Sequence, residues 1–264
     1  MTEAVRQNRL AEILRQAGPL AVAVSGGVDS MTLSAFAKRT VGTAASMIHA
    51  VSPAVPQAAT KRVRQLANAE GWELRVLDAG EFEDETYLAN PANRCFFCKT
   101  NLYGAIAKVA SGVLMSGTNL DDLEDWRPGL AAAREHGVRH PFVEAGFSKA
   151  DVRTLAAALD LGEIAELPAS PCLSSRVETG LRIDPAMLAL VDRVETHVRA
   201  RFDIATVRCR IRPSGPELHI DPVFLEAASA DTLENLRLET AKAAGRAIDI
   251  GPYVRGGAFL RVLA

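Results

Sequence analysis

The chain has 264 residues, 48% hydrophobic and 23% charged, which suffices for one large globular domain or a medium one with a smaller companion. Its 30 basic and 32 acidic side chains leave a net charge of -2, which excludes a global basic field for nucleic acid and an acidic excess of the disordered kind. No apolar run reaches membrane-span length, and the polar start MTEAVRQNRLAEILRQAG has neither an apolar h-region nor a small-residue cleavage site, so a cytoplasmic location and no membrane partner are expected.

In chain order, residues 3–17 read as an amphipathic helix and LAVAV at 20–24 as a buried strand running into Ser25-Gly26-Gly27. A helix follows from Asp29 to about Arg39, then an apolar run at 44–51, a helix at 57–70 and a strand at 72–77. A helix from about 96 to 110 and a strand at 113–116 complete the series. This alternation predicts an α/β domain whose parallel sheet is doubly wound by helices. Ligands bind such sheets at the carboxyl ends of the strands, so the loops at 25–30 and 117–129 should both lie there. The Pro-, Ser- and Gly-rich stretch 165–185 carries the predicted boundary, with a first domain over 1–168 and a smaller α+β domain over 169–264. In the second, a helix at 185–201, strands near 204–212 and 216–221, a helix near 230–244 and short terminal strands are expected.

Ser25-Gly26-Gly27-Val28-Asp29-Ser30 lies between a buried strand and a helix, where a phosphate loop has to be. Glycines let the backbone turn tightly and approach a ligand, and successive N–H groups at the helix start face an anion. The Ser25 and Ser30 hydroxyls add donors, each hydrogen bond to a charged group contributing roughly 1.5–3 kcal/mol. Asp29 would repel a bare phosphate, so its expected role is to hold Mg²⁺. A plain glycine turn is the bland alternative. No G-x-x-x-x-G-K-[ST] occurs, which excludes a kinase- or GTPase-type loop. SGGVDS resembles the PP-loop of the ATP pyrophosphatases, with the adenine nucleotide α-hydrolase-like sheet. The resemblance implies cleavage of ATP between the α and β phosphates and transfer of AMP to a substrate oxygen.

After the strand at 113–116 comes Ser116-Gly117-Thr118-Asn119-Leu120-Asp121-Asp122-Leu123-Glu124-Asp125-Trp126-Arg127-Pro128-Gly129. Four carboxylates in five positions suit a metal or ligand site, or else a solvated loop with helix-capping acids. GTN-x-DD followed by DWRPG is similar to the sulfur-inserting branch of the PP-loop enzymes, the LarE type. Arg94-Cys95-Phe96-Phe97-Cys98-Lys99, Glu144-Ala145-Gly146-Phe147-Ser148-Lys149 and Pro171-Cys172-Leu173-Ser174-Ser175-Arg176 follow in the family's order. By that resemblance Gly117, Thr118 and Asp122 join Ser25–Ser30 in binding ATP, and Lys99 meets phosphate charge. The implied function is conversion of a carboxylate of a pyridinium biscarboxylate mononucleotide to a thiocarboxylate, for a nickel-pincer nucleotide cofactor.

Cys95 and Cys98 are spaced i, i+3 and share a face of any helix that holds both. Alone, the pair is open among zinc, iron–sulfur and redox use. Cys172 lies in a loop of prolines and serines, away from an apolar stripe. Members of the LarE type with three such cysteines are associated with a [4Fe-4S] cluster, and this sequence looks like them. Three thiolates leave one iron open for sulfide or another sulfur donor.

Val207-Arg208-Cys209-Arg210-Ile211-Arg212 alternates as a strand does, so the arginines share one face and Cys209 belongs to the core face. Guanidiniums in a row suit a phosphate or carboxylate. In the family, positions matching Arg208 and Arg210 resemble a substrate-phosphate site, to which Arg176 and Glu195 are also assigned. The implied partners are a small-molecule nucleotide substrate and further copies of the chain, a hexamer by resemblance, with no nucleic acid. Two rival enzymes share parts of the pattern: a tRNA thiolase, and an ATP-dependent amide or nitrile former with zinc at the cysteines. A nucleotide-sensing module without turnover is the non-enzymatic rival.

Overall fold

The computed structural model describes residues 2–124, 126–169, 171–254 and 256–258. In chain order the elements are α1 (Glu3–Gln16), β1 (Leu20–Ala23), α2 (Val28–Val41), β2 (Ala45–Val51), α3 (Gln57–Glu70), β3 (Leu74–Asp78), α4 (Glu85–Leu88), α5 (Arg94–Val109) and β4 (Val113–Met115). There follow α6 (Pro128–Glu135), α7 (Pro141–Ala145), α8 (Lys149–Ala158), α9 (Pro185–Arg199), β5 (Val207–Arg212), β6 (Gly215–Ile220), α10 (Pro222–Ala227), α11 (Ala230–Ala244) and β7 (Asp249–Pro252). Contacts divide the chain into two compact units, Met1–Asp84 with Asn93–Ser170, and Glu85–Ala92 with Pro171–Ala264. The second unit thus borrows α4 from within the first 168 residues.

The first unit is built on a parallel four-stranded sheet in the order β3-β2-β1-β4. Strand residues alternate between two apolar layers, as a pleated strand buried on both faces requires. Leu20, Val22 and Met47 pack with Leu10 and Leu14 of α1, Met31 and Leu33 of α2, and Val152 and Leu155 of α8. Ala21, Ile48 and Leu114 pack with Tyr103 and Ile106 of α5 and Ala133 of α6 on the other face. Each fully buried Val or Leu contributes about 1.5–3 kcal/mol over its exposed state, so these two layers fix the register that aims the loops. β1 lies between β2 and β4, which places Ser25 and Gly117 side by side at the carboxyl edge.

In the second unit β5 pairs antiparallel with β6, and β6 pairs parallel with β7. Leu188, Val191, Val194 and Val198 of α9 are buried at helical spacing, and α9 packs on β5 and α11. No helix among the described residues is long and apolar enough to cross a membrane.

Candidate functional site

The loop after β1 closes on its own hydroxyls. Ser30 Oγ accepts from the Ser25 amide at 3.0 Å, lies 3.0 Å from Ser25 Oγ and donates to the Gly27 carbonyl at 3.3 Å. α2 starts on Gly27, which brings no capping oxygen, so its first-turn amides are donors for another acceptor. Gly26 has φ +82°, and a Cβ there would stand 2.8 Å from the Ala59 carbonyl oxygen of α3, so the loop tolerates only glycine. Gly117 presses on the same helix start: its Cβ would lie 2.7 Å from the Ser30 nitrogen. The glycine of the second loop is what lets it approach the first.

Asp29 sits in the first turn of α2, one quarter exposed. Its carboxylate accepts from Lys149 Nζ at 2.5 Å and from Asn119 Nδ2 at 3.2 Å. Asn119 and Asp122 form a capping box, and Asp122 also pairs with Arg127 at 2.8 Å. Asp121 accepts from the Lys149 amide at 3.0 Å. The acids of this loop therefore tie its backbone and α8 together, while Asp125 lies outside the described residues. Ser116 Oγ bridges Thr118 Oγ1 at 3.0 Å and His140 Nδ1 at 2.8 Å. Burial lowers the His140 pKa, against the opposing pull of Glu144 and Asp122. Val28 is buried beneath the loop.

Two further side chains brace the loop from below. His49 is fully buried on β2 and joins Val24 O at 2.8 Å to Thr60 Oγ1 at 2.9 Å. Arg62 Nε donates to Gly26 O at 2.9 Å. Composition and spacing signalled neither of these, nor Lys149 as the partner of Asp29. His49 and His140 read as ordinary histidines from sequence.

On α5, Cys95 is exposed and Cys98, three residues on, is half-buried, and Lys99 Nζ lies 5.7 Å from the centroid of the Tyr103 ring. Cys172 is half-buried at the start of a short 3₁₀ turn, Leu173–Arg176, in the second unit. Among the described residues no group of three or more His, Cys, Asp or Glu side chains stands together as a metal site.

The second unit has its own polar centre. Arg176 and Glu195, each 2% exposed, form a two-pronged pair, Nε to Oε1 at 2.9 Å and Nη2 to Oε2 at 2.8 Å. Glu195 also accepts from Arg199 at 2.7 Å and from the Cys209 amide at 3.0 Å. Burial pushes the Glu195 pKa up, but Arg176 and Arg199 outweigh it and hold the carboxyl below its ordinary value. Arg176 Nη1 further donates to Pro171 O at 2.7 Å and Cys172 O at 3.2 Å, so this pair shapes the Cys172 turn. Arg208 is pushed down to about 10 by burial and by Arg176. Arg210, likewise lowered by burial, donates to Ser175 O at 2.9 Å, and among the described residues its Nε has no hydrogen-bond acceptor. Arg212, in contrast, is matched by Glu178 at 2.5 Å. Arg176 and Arg199 pair with Glu195, and Arg208 and Arg210 feel the same carboxylate, a grouping of guanidiniums that suits an anion. Cys209 is fully buried on the opposite side of β5, its thiol pushed up to about 12 by burial.

No family model matches the chain. It is 35% identical to an uncharacterized protein of Synechocystis sp. over 205 residues, 76% of this chain and 76% of that one. An uncharacterized protein of Methanocaldococcus jannaschii is 26% identical over 67% of this chain and 68% of its own length. The pyridinium-3,5-bisthiocarboxylic acid mononucleotide synthase of Lactiplantibacillus plantarum is 28% identical over 214 residues, 79% of this chain and 77% of that protein. This chain and the Synechocystis protein belong to one family, and the match to the Lactiplantibacillus synthase makes that family LarE-like.

Proposed function

We propose that the chain is an ATP-dependent sulfurtransferase that converts a carboxylate of a pyridinium biscarboxylate mononucleotide to a thiocarboxylate, in the making of a nickel-pincer nucleotide cofactor. The observation that carries the reading is the loop Ser25–Ser30, with its uncapped helix start held at the sheet's carboxyl edge against Gly117. The name of the Lactiplantibacillus relative supports the substrate class.

A carboxylate is a poor electrophile. Its oxygen attacks the α-phosphorus of ATP, the bond to the β-phosphate breaks, and the electron pair leaves with pyrophosphate. The α2 amides and the Ser25 and Ser30 hydroxyls receive phosphate oxygens, with Gly117 and Thr118 lining the same edge and Lys99 meeting developing charge. Asp29 offers the hard oxygen that magnesium takes, which would draw phosphate charge to the loop. Arg208 and Arg210 bind the substrate's phosphate, and the Arg176–Glu195 pair holds the Cys172 turn and β5 in place. A sulfur nucleophile then attacks the acyl carbon and AMP leaves.

Cys95, Cys98 and Cys172 are the thiols that would hold a [4Fe-4S] cluster, Cys95 being exposed and the other two half-buried, while the fourth cysteine is withdrawn into the core. Such a cluster, when bound, supplies sulfur at its open iron. The test is pyrophosphate release from Mg-ATP with the pyridinium biscarboxylate mononucleotide present, followed by mass spectrometry for the thiocarboxylate. Absence of substrate-dependent pyrophosphate release from the anaerobically purified protein would refute the reading.

A further inference from the structure

Arg62 stands on α3 beside the phosphate loop, and its bond to the loop uses only one of its five donors. Its Nε donates to the Gly26 carbonyl at 2.9 Å. The bond is possible because the loop rests on this helix, with Gly26 against Ala59 one turn earlier. That single bond fixes the guanidinium plane and leaves four N–H donors on the two terminal nitrogens. Among the described residues no carboxylate pairs with Arg62, whereas Arg39 faces Glu70 and Arg139 faces Glu144. Burial pushes its pKa down, and among the described residues no acidic neighbour raises it. Asp29 is already balanced by Lys149, so Arg62 gives the loop one positive charge in excess.

A half-buried cation tethered to a phosphate loop and left without a counter-charge calls for an anion. We propose that Arg62 is a further phosphate-binding residue, whose terminal nitrogens take the β- and γ-phosphates of ATP and hold the pyrophosphate that leaves. The inference rests on the ATP reading above. As the α-phosphorus bond breaks, charge gathers on the oxygen bridging to the β-phosphate and on the pyrophosphate itself. A planar fork held rigidly by Gly26 meets that charge without reorganising.

Calorimetric titration of the full chain with inorganic pyrophosphate, Mg-ATP and AMP tests the assignment, using wild type, Arg62→Gln, Arg62→Lys and Arg64→Ala. Gln keeps an N–H for Gly26 and loses the charge, Lys keeps the charge and loses the fork, and Arg64 is a neighbouring cation on the same helix. Arg62→Gln should lose about tenfold in pyrophosphate and Mg-ATP affinity, as expected for lost charge-assisted bonds, with AMP affinity unchanged. Arg62→Lys should fall in between, and Arg64→Ala should bind as wild type does. Pyrophosphate affinity unchanged in a folded Arg62→Gln protein would overturn the assignment alone. So would an equal loss for AMP and pyrophosphate, which would mean that Arg62 only supports the loop. Failure of the wild type to bind Mg-ATP or pyrophosphate would overturn the ATP reading, and this inference with it.

Discussion

The Lys149 ammonium lies 2.5 Å from the Asp29 carboxylate, joining the first turn of α8 to the first turn of α2 across 120 residues of sequence. Under the proposed function, magnesium and Lys149 would compete for one carboxylate. Asp29→Ala should abolish Mg-dependent pyrophosphate release, because the metal loses its ligand beside the phosphates. Lys149→Ala should lower the magnesium concentration needed for half-maximal release, because the competitor is gone. A magnesium titration of both variants decides: near-normal release by Asp29→Ala, or a higher magnesium requirement in Lys149→Ala, would contradict this account.

The elements that carry the first loop were legible because local signals agree with packing. The helix expected at 57–70 is found as Gln57–Glu70, opened by Pro56 and closed by Gly71 in the left-handed region at φ +61°. LAVAV is a strand because both of its faces are buried. The segment 128–158 gives little periodic signal in the sequence, yet it holds α6, α7 and α8. Its start signals were present, as Pro128, Pro141 and the Ser148–Asp151 capping box, but α6 and α7 are too short and alanine-rich for apolar periodicity to speak. The braces of the site were illegible for a different reason. Arg62 to Gly26 and Lys149 to Asp29 are pairs that only the sheet order creates. Arg176 with Glu195 is similar, since 19 residues and two elements separate them.

Breaking the Arg176–Glu195 pair should be costly. Both ends are 2% exposed, and Glu195→Gln would leave Arg176 buried without a counter-charge. Loss of one partner of a buried pair costs about 3–5 kcal/mol. The double change Arg176→Met with Glu195→Leu should recover only part of that, since it removes the buried pair but leaves Arg199 and the Cys209 amide without their acceptor. Urea unfolding of wild type and the two variants measures both effects. A Glu195→Gln protein within about 1 kcal/mol of wild type would show that the pair is not structural.

His49 makes stability depend on pH. Val24 O can only accept, so His49 Nδ1 donates to it and Nε2 accepts from the Thr60 hydroxyl. Burial holds the ring's pKa below its ordinary value, against the weaker upward pull of the Val24 bond. The folded ring is therefore neutral at pH values where the unfolded ring, with a pKa of about 6.5, takes a proton. This contribution is complete above that unfolded value and is lost as pH falls through the folded one. Half-buried His140 acts with the same sign. Urea unfolding at pH 7.5 and 5.5 should show a smaller fall in stability for His49→Gln than for wild type; equal falls would exclude His49 as a source.

The cysteines separate two sulfur mechanisms that the proposed function allows. Cys95 and Cys98 share the first turn of α5, and Cys172 opens the turn that Arg176 grips. A cluster held by three thiolates has no spare protein ligand, so Ala at any of the three should remove most bound iron and most multiple-turnover sulfur transfer. Adenylylation should survive each change, because it needs the loop Ser25–Ser30 and the metal at Asp29. Cys209→Ala should leave both steps largely intact, since that thiol is fully buried and held protonated to about 12. If the protein instead gives up the sulfur of one cysteine in a single turnover, only Cys172 is essential, and mass spectrometry after reaction shows it as dehydroalanine. Anaerobic iron, sulfide and zinc analysis of wild type and the four variants, read beside pyrophosphate release, distinguishes these outcomes. Zinc without sulfide would favour the amide-forming rival, and full activity of Cys95→Ala and Cys98→Ala together with dehydroalanine at Cys172 would end the cluster proposal.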